Sequence, residues 1–248
     1  MRAAGCPPSP VARYFVTRAP HHYPSPYPMT AIFADRHDAG RALAKALSLR
    51  DDLEDPVVLA LPRGGLPVGR EVARALGAPL DIMVVRKLGL PQQPELAMGA
   101  VASGGIRVLN PEVVREAAVP DPVLDDVAQA ESREVERRER AYRGDRAPPE
   151  LEGRTVILVD DGIATGSTVR AAIQAVRARG ARGVIVAAPV APPETVRLLG
   201  QEADDVVCLA TPEPFLAISL HYRSFPQVDD REVKRILDDA SRAGSEER

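Results

Sequence analysis

Residues 155–168 read TVILVDDGIATGST. Five residues of apolar strand character run into two adjacent carboxylates, Asp160 and Asp161, and a loop of glycines and hydroxyls leads into the next helical pattern. A continuous apolar run is the mark of a strand covered on both faces, so the stretch predicts strand, turn, helix. In an open parallel sheet, ligands bind at the carboxyl ends of strands. The loop's N–H groups and the helix N-terminus suit a phosphate. Thr165, Ser167 and Thr168 add hydroxyl donors. The carboxylates cannot favour that phosphate; they suit hydroxyl groups on the same ligand, or a metal. A sugar phosphate meets both demands, with its diol on the acids and its phosphate in the loop. Two acids at a buried strand end are costly unless something binds them.

The same rhythm extends on both sides. Val57–Leu61, Leu80–Val85, Gly183–Pro189 and Asp205–Leu209 are further apolar runs, which with Thr155–Val159 make five predicted strands. Helices are predicted from an Asp35 cap to about Leu49, over Leu66–Leu76, after the loop to about Arg179, over Pro193–Gly200 and over Asp230–Ala240. The fold class is therefore α/β, with a central five-stranded parallel sheet flanked by helices. About 70 residues separate the second strand from the third. This long insertion, about 90–150, holds turns at Leu90-Pro91 and Ser103–Gly105 and a charged helix over Pro122–Tyr142. It reads as a solvated helix packed by one edge, and as a hood over a site; the two are compatible.

Composition bounds the rest. The chain has 248 residues, 32 Lys+Arg, 35 Asp+Glu and two cysteines, Cys6 and Cys208. A disulfide scaffold is excluded, and so few cysteines point to a reducing, cytoplasmic setting. No apolar stretch approaches the roughly 18–20 residues of a membrane span. The charge of −3 argues against general nucleic-acid binding. Residues 1–28 hold three arginines, no acid and seven of the 24 prolines. They read as a disordered or mis-annotated N-terminal extension, and residues 29–248 as the folded domain, with a charge of −6. The loop has no lysine, which excludes a Walker A site, and no Gly-x-Gly-x-x-Gly follows a strand.

VILVDDGIATGST resembles the signature of the type I phosphoribosyltransferases, which bind 5-phosphoribosyl-1-pyrophosphate (PRPP). The resemblance implies that Asp160 and Asp161 hold the ribose hydroxyls and that Gly162 and the run Ala164, Thr165, Gly166, Ser167 and Thr168 surround the 5′-phosphate. Two more segments agree. LALPRGGLPVG (59–69) looks like the family's pyrophosphate loop, with Arg63, Gly64 and Gly65 at the leaving group. VVRKLGLP (84–91) resembles the Arg-Lys segment of adenine-type members, with Arg86 and Lys87 neutralising pyrophosphate. Alone, PRGG reads as a plain βα turn and Arg86-Lys87 as surface. The resemblance covers about residues 30–240.

It implies a PRPP-dependent transferase that displaces pyrophosphate with a nitrogen nucleophile. The acceptor would be a nucleobase or related heterocycle. Mg²⁺ would be held through PRPP, with Asp160 and Asp161 as further ligands, and the protein would form a homodimer. Purine (6-oxo) transferases carry a third acid where this chain has Ala164, which disfavours hypoxanthine and guanine. Glu95, Phe215, Tyr222 and Phe225 are acceptor-side candidates; surface and packing roles compete for each. His221 and Cys208 read as structural. The competing class is a non-catalytic PRPP-binding regulatory protein. A PRPP-making diphosphokinase is disfavoured, because the chain shows no recognisable ATP flap.

Overall fold

The computed structural model describes residues 31–246, so the reading of 1–28 lies outside the described residues. Strands β1 (Pro56–Ala60), β2 (Leu80–Ile82), β6 (Thr155–Val159), β7 (Gly183–Val190) and β8 (Asp205–Ala210) form one parallel sheet in the order β2-β1-β6-β7-β8. All five predicted strands are present. The two-residue side-chain period divides the core between the faces. Val57, Leu59, Val156 and Leu158 face helix α5 (Ser167–Ala178), while Val58, Ile157 and Val159 face helices α1 (Arg36–Leu47) and α2 (Gly65–Leu76). Helix α1 starts where expected: the Asp35 carboxylate accepts from the Asp38 N–H. Helix α6 (Pro193–Leu199) also falls on its predicted span, and α7 (Asp230–Glu246) runs longer than predicted.

The second strand needs correction. LDIMVV is one apolar run but belongs to two sheets. The Met83 N–H still donates to Ala60, but the Val84 N–H turns to the Ser103 hydroxyl, and Val84 accepts from the Ser103 N–H. From Val85 the chain enters an antiparallel sheet, β3 (Val85–Leu90), β4 (Gln93–Ala102) and β5 (Ile106–Leu109), that the sequence reading did not foresee. Helices α3 (Pro111–Glu116) and α4 (Asp121–Arg143) complete the insertion.

The insertion is not loosely attached. Leu88, Met98, Leu124, Val135 and Tyr142 share a core with Ile236 and Leu237 of α7 and with Ala60 and Ile82 of the main sheet. Arg143, at the end of α4, donates from Nε to both oxygens of Asp81 in β2, at 2.9 and 3.2 Å, and both residues are buried. Burial nevertheless pushes the Asp81 carboxyl above its ordinary value, against the pull of Arg143.

Candidate active site

The acid pair ends β6. Asp160 is half-buried and Asp161 buried, and the Asp161 N–H donates to the Asp160 carboxylate at 2.8 Å. Burial, reinforced by the neighbouring Asp161 charge, holds the Asp160 carboxyl well above the usual carboxylate range. Burial also raises Asp161, but the Arg36 guanidinium opposes the shift. One arginine thus serves two adjacent acids and leaves Asp160 poorly neutralised, a state that favours a hydroxyl-bearing or cationic ligand.

The loop beyond is fixed at both ends. The Ile163 N–H donates to Val190, and the Thr195 hydroxyl donates to the Ala164 carbonyl at 2.7 Å. Gly166 takes φ 76°, a left-handed conformation that side chains resist. No side chain caps α5, so its first N–H groups keep their bonding capacity. Thr165 and Ser167, hydroxyls 3.2 Å apart, are exposed, as are Ala164 and Thr168; Gly162 is buried.

The turn 62–65 meets the acids directly. A Cβ on Gly64 would lie 2.0 Å from Asp161 Oδ2, and one on Gly65 would lie 2.7 Å from the Val159 carbonyl oxygen. Only glycines allow this approach. Because the Val159 oxygen is backbone within the central sheet, Gly65→Ala is expected to cost about 2–3 kcal/mol by overpacking, read as a lower denaturant midpoint. Arg63, partly exposed, lies 3.6 Å from Asp230 of α7 and lines the same cavity as Asp161.

That cavity has a volume of about 300 Å³ and is lined by Arg36, Arg63, Gly64, Asp161, Phe225, Gln227 and Val228. Arg36 was not singled out by sequence. Its signal is a cation in the first turn of α1, where the helix dipole disfavours positive charge. Its Nε donates to Asp161 Oδ2 at 2.7 Å.

Arg86 and Lys87 are not among the residues lining this cavity. They lie within β3 rather than in a loop after a strand, and Arg86 Nε donates to Glu131 of α4 at 2.7 Å. Glu95 belongs to β4, and its side chain lies outside the described residues. Tyr222 is buried, its ring 5.6 Å from Phe33 and 4.9 Å from Phe225, and its hydroxyl donates to the Asp161 carbonyl. It therefore packs behind the acid instead of presenting an open ring face, and burial raises its hydroxyl pKa. Phe215 lies 5.3 Å from the ring of His221, which is buried and whose pKa burial lowers. Cys208 is buried in β8, and its thiol is pushed up to about 11, which keeps it inert.

Among the described residues no cluster of three His, Cys, Asp or Glu side chains could hold a metal ion. The adjacent carboxylates fit a metal that draws most of its ligands from a bound phosphate compound. No helix among the described residues is long and apolar enough to cross a membrane.

Comparison with known proteins agrees with this geometry. The phosphoribosyl transferase domain profile matches residues 30–213. Two Mycobacterium tuberculosis proteins, from strains H37Rv and CDC 1551, are named as phosphoribosyl transferases and are 49% identical over 211 residues. Each match covers 85% of this chain and 47% of the relative, so the chain spans about half the length of the curated relatives it matches. The crystal structure of TT1426 from Thermus thermophilus is 45% identical, with a TM-score of 0.76, and the match covers 83% of this chain and 97% of that one. With the profile spanning the paired acids, the phosphate-type loop and the glycine turn, the chain belongs to the phosphoribosyl transferase domain family.

Proposed function

We propose that residues 29–248, with their insertion at about 90–150, form a PRPP-dependent phosphoribosyltransferase domain. A nitrogen nucleophile, a nucleobase or related heterocycle, would displace pyrophosphate from C1′ of PRPP. The observation that carries this reading is the packing of the Gly64-Gly65 turn against Asp160 and Asp161. It sets a turn suited to pyrophosphate beside acids suited to the ribose diol.

On this reading Asp160 and Asp161 accept hydrogen bonds from the ribose hydroxyls. Gly162, Ala164, Thr165, Gly166, Ser167, Thr168 and the start of α5 hold the 5′-phosphate. Arg63 and the Gly64 N–H receive the leaving pyrophosphate, where negative charge grows as the C1′–O bond breaks, and Gly65, whose own N–H donates to Leu61, lets the turn come close. Fixed donors of this kind contribute several kcal/mol in a water-poor site. Arg86 and Lys87 would have to come from β3 to add their charge. Mg²⁺, when bound with PRPP on Asp160 and Asp161, supplies further neutralisation of the pyrophosphate. Phe215 and Glu95 remain acceptor-side candidates, and Tyr222 supports the acid from behind. The protein would work in the cytoplasm as a homodimer.

The test is incubation with PRPP, Mg²⁺ and a panel of bases, with pyrophosphate release as the readout. Base-dependent release supports the transferase. Tight PRPP binding without turnover favours the regulatory class, and no PRPP binding overturns both.

A further inference from the structure

Among the described residues, Arg36 is a buried cation that reaches the acid pair without belonging to any of the three segments on which the functional reading rests. It is 8% exposed and uses two edges and the flat face of its guanidinium. Nε donates to Asp161 Oδ2 at 2.7 Å, Nη1 donates to the Pro226 carbonyl at 2.6 Å, and the guanidinium carbon lies 3.6 Å from the centre of the Phe225 ring. One planar group therefore joins the strand-end acid to the segment 225–228, of which Phe225, Gln227 and Val228 line the same cavity.

Neighbouring bonds bring the same two parts together. Phe33 bridges Tyr222, Arg223 and Ser224 donate their N–H groups to Phe33 and Ala34, and the Tyr222 hydroxyl holds the Asp161 carbonyl. The chain just before Arg36 is thus zipped to the chain just before Phe225. Asp161 Oδ2, the oxygen bound to Arg36, is also the atom closest to the Cβ position of Gly64. The carboxylate has little room to turn while Arg36 holds it.

We propose that Arg36 is a positioning residue: it fixes the Asp161 carboxylate against the Gly64 turn and, through Pro226 and Phe225, locks the 222–228 wall onto the same acid. It acts through those groups and not on the substrate. The acid and the 222–228 segment then form one unit, so PRPP at the acid is felt by that segment. The consequence for PRPP rests on the functional reading above; the lock itself does not.

The chemistry of arginine offers a discriminating experiment. A lysine keeps a point charge for Asp161, but it has no planar fork to reach Pro226 at the same time and no flat face to stack on Phe225. Arg36→Lys, Arg36→Ala and Phe225→Leu would be compared with the wild type. PRPP affinity with Mg²⁺ would be measured by calorimetry, and amide hydrogen exchange followed at Arg223 and Ser224. Arg36→Ala should weaken PRPP at least about tenfold, the scale for losing one charge-assisted hydrogen bond from a misplaced Asp161, and speed exchange at both amides. Arg36→Lys should restore affinity to within about threefold yet leave exchange fast. Phe225→Leu should speed exchange at both amides in the ligand-free protein.

That split separates positioning from general support of the fold, which would shift affinity, exchange and melting together. Unchanged exchange in Arg36→Lys and Phe225→Leu overturns the lock, and so does equal loss of affinity in Arg36→Lys and Arg36→Ala. If wild-type protein binds no PRPP, the functional reading fails alone. The ligand-free exchange of Arg36→Lys and Phe225→Leu still decides the lock, even if Arg36→Ala does not fold.

Discussion

Replacing Asp160 and Asp161 together by Asn is expected to weaken PRPP binding at least about 100-fold, because each carboxylate would contribute charge-assisted hydrogen bonds of roughly 1.5–3 kcal/mol. Calorimetry with Mg²⁺ present measures it, and affinity within a few-fold of the wild type would remove the acids from the site. The two positions should differ in stability. Asp160 carries the cost of burial and of its neighbour's charge, and its pKa is raised in the folded state. A group so shifted destabilises the native protein once pH exceeds its unfolded value. Asp160→Asn alone should therefore raise the melting temperature at neutral pH while lowering affinity. Asp161→Asn should gain less or nothing, because the carboxyl it removes is raised by burial too but is opposed by Arg36, which would lose its counter-charge. A gain at Asp160 larger than at Asp161 would be hard to obtain from surface acids.

Arg143→Ala is expected to cost about 3–5 kcal/mol, the scale for removing one partner of a buried ion pair. Asp81 would remain buried in β2 with neither of the two Arg143 bonds it accepts. The loss should appear as a fall in melting temperature and in denaturant midpoint. The double variant Asp81→Asn with Arg143→Met should recover most of it, since neither member of the buried pair is then left charged, and Glu139, which also accepts from Arg143, keeps some access to solvent. If the double variant is no more stable than Arg143→Ala, the penalty comes from lost α4 packing instead.

What could be read from sequence followed the reach of each signal. The five parallel strands were legible because burial on both faces makes each an apolar run, and the acid loop was legible because its chemistry lies within fourteen consecutive residues. The β3-β4-β5 sheet was not. Its central strand includes Ala97, Gly99, Ala100 and Ala102, poor strand formers whose pairing is set by packing under α4 and over α5. The boundary inside LDIMVV was invisible because an apolar run does not say which sheet it joins. Arg36 and Arg143 act on partners 125 and 62 residues away, distances that no local pattern spans. For Tyr222 the sequence left stacking and packing open, since an aromatic near a ligand can either stack on it or brace the residue that binds it; the structure shows its hydroxyl on the Asp161 carbonyl.

The sheet order has a consequence for how this site comes into being. The glycine turn leaves β1 and the acid loop leaves β6, and these adjacent strands pair Val57 with Val156 across the whole insertion. Joining them closes a loop of roughly a hundred residues, an entropic barrier that grows with the logarithm of length and favours local structure forming first. Neither half of the cavity can exist before that ladder does. A ligand that grips both loops acts as a non-covalent staple across the longest closure in the central sheet, and its binding energy resists the separation of β1 from β6 during unfolding.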